Sequence, residues 1–197
     1  MINNLFPTPI YVTDLPSNVI ENVQSEFDTV YNEYKLKNEF GKQEGWKGTH
    51  LLSDPTFKSS FIKEYNLLYF QNVLKDHVTV YLKSIKYGGK IDYDIPGSWM
   101  TLSRKNEYAY THTHGSYDIS GVYYYKTNSS DGDIYFRTPN PLPYATYCYS
   151  GLTTDVYYKP VVGRLILFPS WLNHGTIPNT TDNERVSVSF NLRFTKK

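Results

Sequence analysis

From Val19 onward the apolar positions recur at helical spacing: Val19, Ile20, Val23, Phe27, Val30, Tyr31 and Tyr34 share one face of a single helix. Asn18, with Glu21 three residues on, predicts a capped start in which each side chain satisfies a free N–H group. A second helical pattern runs through Phe61, Tyr65, Leu68, Leu74, Val78, Tyr81, Leu82 and Ile85 to a stop at Gly88-Gly89, with room for one break. Asp54-Pro55 predicts its beginning, because the carboxylate caps free N–H groups and proline suits the first helical position. Before both helices, Leu5 to Val12 is a short apolar run with two prolines, which suits an edge strand. The polar, glycine-punctuated stretch from Lys37 to Ser53 reads as a loop.

At Ile91 the period changes to that of a strand and stays so to the end. The pattern predicts strands over Ser98–Arg104, Ile119–Lys126, Ile134–Arg137, Val156–Lys159, Gly163–Phe168, Gly175–Pro178 and Arg185–Phe194. Turns are predicted at Asp94-Ile95-Pro96-Gly97, Ser129-Ser130-Asp131-Gly132 and Thr180-Thr181-Asp182-Asn183. Thr138 to Thr154, with three prolines and little periodicity, is a long loop that could border a cleft; Tyr144, Tyr147 and Tyr149 lie in it. In the last strand Arg185, Ser187, Ser189, Asn191 and Arg193 alternate with Val186, Val188, Phe190, Leu192 and Phe194. One side therefore packs on apolar structure and the other meets water or a polar cavity. Helices followed by many short strands predict an α+β chain, mainly β, whose β part is a sandwich or barrel.

At 197 residues the chain suits one domain, with a helical support region over 1–90 and a β core over 91–197. A net charge of +1 gives no general reason to expect nucleic acid or an anionic membrane as partner. Cys148 is the only cysteine, so no intrachain disulfide forms, and a lone thiol is a poor start for a metal site. The first residues carry neither a basic region nor a long apolar run, so we expect a soluble protein of the cytoplasm. The twenty tyrosines, with abundant asparagine, suggest an AT-rich genome such as that of a virus or a streamlined bacterium.

The chemistry gathers around His112-Thr113-His114. Two histidines one residue apart at a strand end point the same way, and imidazole ligates iron, zinc, manganese or copper. Taken alone, such a pair is as often simply surface or half-buried. His174 follows a buried strand and turn that could carry it back to the pair, and Arg185 with Ser187 lies on the polar face of the last strand. A guanidinium flanked by a hydroxyl suits a carboxylate, with two parallel charge-assisted hydrogen bonds and a third from the serine. Otherwise Arg185 would pair with Glu184 or Asp182 at the surface. His50, in a loop, and His77, on a helix beside Asp76, read as histidines outside the site.

These parts, in this order, resemble the 2-oxoglutarate and iron(II)-dependent oxygenases, and most closely an oxygenase family of marine bacteria and cyanophages. The resemblance is carried by Leu5-Phe6-Pro7-Thr8-Pro9-Ile10, Ser98-Trp99, His112-Thr113-His114 leading to Ser120-Gly121-Val122-Tyr123-Tyr124, Leu167-Phe168-Pro169-Ser170-Trp171-Leu172-Asn173-His174, and Glu184 to Asn191. It implies a double-stranded β-helix, jelly-roll or cupin-like, with the N-terminal helices packed on it. It also implies Fe(II), 2-oxoglutarate as cosubstrate and O2, and prolyl-hydroxylase-like hydroxylation of a small-molecule or peptide substrate, in the host cytoplasm if the protein is viral. By the same resemblance His112 is the first ligand, His174 the distal one, and Arg185 the partner of the cosubstrate's far carboxylate, assisted by Ser187 and Tyr124. The family usually carries His-x-Asp, and here His114 stands in place of the aspartate. Either His114 ligates or a carboxylate such as Asp118 does; strand geometry favours His114. The histidines, Asp118, Gly163 and Pro169 also approximate the two cupin motifs, which would make this a metal-binding protein, dioxygenase or isomerase that does not use 2-oxoglutarate.

Overall fold

Alternation in two long strands sets the architecture. In this computed structural model residues 7–37, 40–41, 51–53, 59–139 and 155–195 are described. The elements run β1 (Tyr11–Asp14), α1 (Ser17–Lys37), β2 (Leu51–Leu52), α2 (Phe61–Glu64), α3 (Leu68–Ser84), β3 (Tyr93–Ser103), β4 (Ile119–Lys126), β5 (Ile134–Phe136), β6 (Val156–Tyr158), β7 (Arg164–Pro169), β8 (His174–Thr176) and β9 (Arg185–Phe194). They build a six-stranded sheet in the order β1-β7-β4-β9-β3-β2 and a three-stranded sheet in the order β6-β5-β8. Every strand pairing within the two sheets is antiparallel.

The larger sheet buries both faces, each against a different partner. Tyr123 and Tyr125 of β4 and Val186, Val188, Phe190 and Leu192 of β9 pack with Phe27, Phe61, Phe70 and Leu74 of the helices. Phe27 sits at the middle of that core, with its ring 4.9 Å from Phe70, 5.6 Å from Tyr123 and 5.8 Å from Tyr125. Such aromatic contacts add about 0.5–1.5 kcal/mol each beyond the area they bury. The intervening residues of β4, Val122 and Tyr124, face the smaller sheet and meet Ile134 and Phe136 of β5 and Ile166 and Phe168 of β7. Two packed antiparallel sheets with helices on the outer face of one of them make the double-stranded β-helix that the resemblance implies.

Several local expectations shift. α1 begins at Ser17, so Asn18 lies inside the first turn rather than capping it, and the Val19 and Ile20 N–H groups donate to the Pro16 carbonyl. The expected break in the second helical pattern falls at Asn66, which takes a positive φ of 52° between α2 and α3. α3 lacks a side-chain cap of its own; the Glu26 carboxylate of α1 accepts from Tyr69 and Phe70 N–H at 2.8 and 2.9 Å. Leu51-Leu52, read as loop, forms β2 by pairing with Thr101 and Leu102. The turn expected at Asp94–Gly97 is instead a bulge within β3. The first strand begins at Tyr11, later than the apolar run suggested, and lies at the sheet edge. His77 is half-buried and bonded to the Tyr11 hydroxyl at 2.7 Å, outside the site. Asp54-Pro55, His50, Cys148 and most of the Thr138–Thr154 loop, with its three tyrosines, lie outside the described residues. Among the described residues no helix is long and apolar enough to cross a membrane.

Candidate metal centre

Backbone pairing brings the histidines together. The segment before β4 runs antiparallel to the start of β8, with His112 N–H donating to the His174 carbonyl at 2.9 Å and His174 N–H returning the bond at 3.1 Å. His114 N–H donates to the Ser170 carbonyl at 2.8 Å. Because strand side chains alternate, His112 and His114 project to the same side, toward His174. Their potential ligand atoms all lie within 4.8 Å of one another. Trp99 stacks on the His114 ring at 5.7 Å, and Phe168 meets the His174 ring edge-on at 4.6 Å, which limits the rotation of both.

Hydrogen bonding decides which nitrogen each ring presents. His112 Nδ1 lies 2.7 Å from the Tyr110 carbonyl, His174 Nδ1 2.8 Å from the Leu172 carbonyl, and His114 Nδ1 2.7 Å from Asn191 Oδ1. These oxygens accept, so each ring carries its proton on Nδ1 and has its lone pair on Nε2, the nitrogen that would ligate a metal. Burial holds His174 well below the usual histidine range. Burial first, and the neighbouring His112 second, pull His114 down to about 4 against the opposing bond to Asn191. Both rings are then neutral at pH 7, the form that ligates. The donor set therefore fits a divalent transition metal. Asp118 is not part of the group: its carboxylate accepts from Phe194 N–H at 2.8 Å.

Arg185 enters the same space from β9. It is 2% exposed, and Nη1 donates to the carbonyls of Asp131 and Gly132 while Nη2 donates to Ser103 Oγ at 3.0 Å and Thr176 Oγ1 at 3.4 Å. Gly132 has a φ of +102°, and a Cβ there would come within 2.8 Å of Arg185 Nη1, so only glycine fits beneath the guanidinium. Among the described residues no carboxylate lies within ion-pair distance of Arg185. Its neighbours in sequence are engaged elsewhere, Glu184 with Lys35 and Arg104, and Asp182 with Lys105. Burial lowers the Arg185 pKa, opposed by the surrounding Tyr124, Asp131 and Asp133. Burial pushes Tyr124 up to about 12, with Arg185 pulling the other way, so its phenol stays neutral.

One cavity between the sheets is lined by His112, His114 and His174 together with Tyr124, Arg185 and Ser187. It encloses about 60 Å³, against the roughly 10–15 Å³ that holds one water. All six residues singled out in the sequence thus converge. Asn191, Thr176 and Ser103 were missed as partners. Asn191 was legible as part of the polar face of the last strand, whereas nothing local marks Ser103 or Thr176.

Residues 97–191 match the family model described as "Putative 2OG-Fe(II) oxygenase". No curated protein matches the chain. Among solved structures, a prolyl-4-hydroxylase from Pseudomonas putida is similar at a TM-score of 0.64 and 13% identity, over 96% of this chain and 94% of that one. HygX from Streptomyces hygroscopicus, solved with nickel and 2-oxoglutarate bound, gives 0.58 at 13% identity over 95% and 83%. The viral collagen prolyl hydroxylase of Paramecium Bursaria Chlorella virus-1, solved as a 2OG complex, gives 0.57 at 15% identity over 94% and 96%. At these identities the likeness is one of fold, and the sequence match covers the β-rich segment that holds the cavity. Over residues 97–191, just under half of the chain, this protein is therefore similar in sequence to the 2-oxoglutarate- and iron(II)-dependent oxygenases.

Proposed function

We propose that this chain is an Fe(II)- and 2-oxoglutarate-dependent hydroxylase in which His112, His114 and His174 hold the metal through Nε2. Arg185 would hold the far carboxylate of 2-oxoglutarate, with Ser187 and Tyr124 beside it. The observation that carries this reading is a buried guanidinium with no carboxylate partner among the described residues, set in the same cavity as three clustered imidazoles. A dicarboxylic cosubstrate answers both ends, since one end chelates a metal and the other supplies the missing anion.

When bound, iron with 2-oxoglutarate supplies the activation of O2 for inserting an oxygen atom into a C–H bond, the cosubstrate leaving as succinate and CO2. This chain's own part is positional. Hydrogen bonds to Tyr110, Asn191 and Leu172 aim the three lone pairs. The carbonyls of Asp131 and Gly132 hold the Arg185 fork in place before a ligand arrives, which reduces the ordering that binding would require. Val122, Ile134 and Phe168 line the cavity with apolar surface and limit water there. Because the Pseudomonas putida and chlorella-virus structures are prolyl hydroxylases, prolyl peptides are the first substrates to try.

The ligand set also favours a second reading. Three imidazoles with no carboxylate beside them among the described residues suit a cupin-type metal-dependent dioxygenase or isomerase that does not use 2-oxoglutarate. Arg185 has no required role there. The test is aerobic incubation of the Fe(II)-loaded protein with 2-oxoglutarate, measuring succinate. Slow substrate-independent succinate formation that disappears in Arg185→Ala is expected, and metal binding with no succinate would turn the assignment to the second reading.

A further inference from the structure

Three ring-to-oxygen bonds are made at the histidine Nδ1 atoms among the described residues, and two of them end on backbone carbonyls, which no substitution can alter. The third ends on a side chain. His114 Nδ1 is 2.7 Å from Asn191 Oδ1, and the same oxygen is 2.7 Å from Ser120 Oγ, itself 2.8 Å from Ser170 Oγ. Asn191, Ser120 and Ser170 are 3%, 1% and 0% exposed, so this chain of hydroxyls and amide is closed to solvent. β9 is also the central strand here, pairing Asn191 with Gly97 on one side and Ser120 on the other. The amide is therefore fixed by the sheet as well as by its bonds.

We propose that Asn191 is a positioning residue: its amide oxygen fixes His114 as a neutral donor through Nε2, and as an amide it keeps the ligand set free of negative charge. The proposal rests on the metal reading above. An amide oxygen only accepts, so with Ser120 Oγ–H directed at it the remaining partner, His114 Nδ1, must donate. Turned the other way, the Asn191 amide would donate to His114 Nδ1, place the ring proton on Nε2, and block the lone pair that a metal needs. The Tyr110, Leu172 and Asn191 oxygens that meet the three Nδ1 atoms are all uncharged, and an imidazole ligates a metal in its neutral form. A carboxylate behind a ligating imidazole makes the ring more basic and lends it negative character. An amide orients the ring without doing so. The site then leaves a divalent metal its full charge, where a histidine–carboxylate ligand set would offset part of it.

The first arm of the test is the tautomer of His114 in the metal-free protein, from long-range proton–nitrogen NMR of the imidazoles above pH 7. The wild type should carry the proton on Nδ1, and Asn191→Ala should lose that preference. The second arm is Fe(II) affinity by competition with a chromophoric chelator. Asn191→Ala should weaken binding by about 10–100-fold, and Asn191→Asp, which retains the acceptor, should recover it. The Fe(III)/Fe(II) potential of Asn191→Asp should fall below that of the wild type. Circular dichroism controls for folding, and the tautomer of the wild type is informative even if a variant is unstable. A wild-type proton on Nε2, or Asn191→Asp binding as poorly as Asn191→Ala, overturns the proposal while leaving the metal reading standing. Failure of the wild type to bind Fe(II) at all overturns both.

Discussion

The two faces of the six-stranded sheet are made from the same strands and do opposite things. On the helix face, Tyr123, Tyr125, Val188 and Phe190 close a dry core against Phe27 and Phe70. On the other face, one residue out of phase, Tyr124, Arg185 and Ser187 line a cavity that three histidines also line. The helix face is stabilised by burial of apolar area and tolerates little change in volume. The cavity face buries a cation and several hydroxyls, which is costly unless something answers them. The difference teaches that the stability of this fold and its chemistry are separated by the alternation of side chains along β4 and β9.

Substitutions can test that separation, beginning with the largest effect. Phe27→Ala should cost ~3–5 kcal/mol of stability in chemical denaturation, with 2-oxoglutarate affinity of the remaining folded protein unchanged; a loss below about 1 kcal/mol would remove the dry-core half of the comparison. Arg185→Ala should weaken 2-oxoglutarate binding on the order of 100-fold, the size expected for charge-assisted bonds, while Fe(II) affinity changes only a few-fold by calorimetry. Equal loss of both would refute its assigned role. Ser187→Ala, which removes one hydroxyl, should lower cosubstrate affinity about 5-fold. The finest comparison uses two adjacent tyrosines. The Tyr123 hydroxyl is buried with no hydrogen-bond partner among the described residues, so Tyr123→Phe should leave stability unchanged or raise it by up to ~1 kcal/mol. Tyr124→Phe should instead leave stability alone and reduce 2-oxoglutarate affinity, and the reverse pattern would mean that the faces have been exchanged.

Where one strand carries both an apolar and a polar face, the sequence was most legible. β4 and β9 appear with the predicted bounds, and in β9 alternation fixes the register, because a slip of one residue would turn every side chain to the wrong side. Reading failed where distant partners decide. Leu51-Leu52 is a strand only because Thr101 and Leu102 pair with it. The start of α3 is capped by Glu26, far away on α1, and Pro96-Gly97 reads as a turn but sits in a bulge held by β9. The site follows the same division. His112 and His114 are visible as a pair by their spacing, and His174 and Arg185 by their order along the chain. That Asn191 answers His114, or that Asp118 turns away to Phe194 N–H, depends on register between strands and could not be read from local pattern.

The most direct test is anaerobic titration of the Fe(II)-loaded protein with 2-oxoglutarate, following the visible charge-transfer band of a bidentate chelate, with Arg185→Ala alongside. A band that saturates in the wild type and needs far more 2-oxoglutarate in the variant is the predicted result. Iron binding with no band at any 2-oxoglutarate concentration would contradict a cavity shared by metal and cosubstrate.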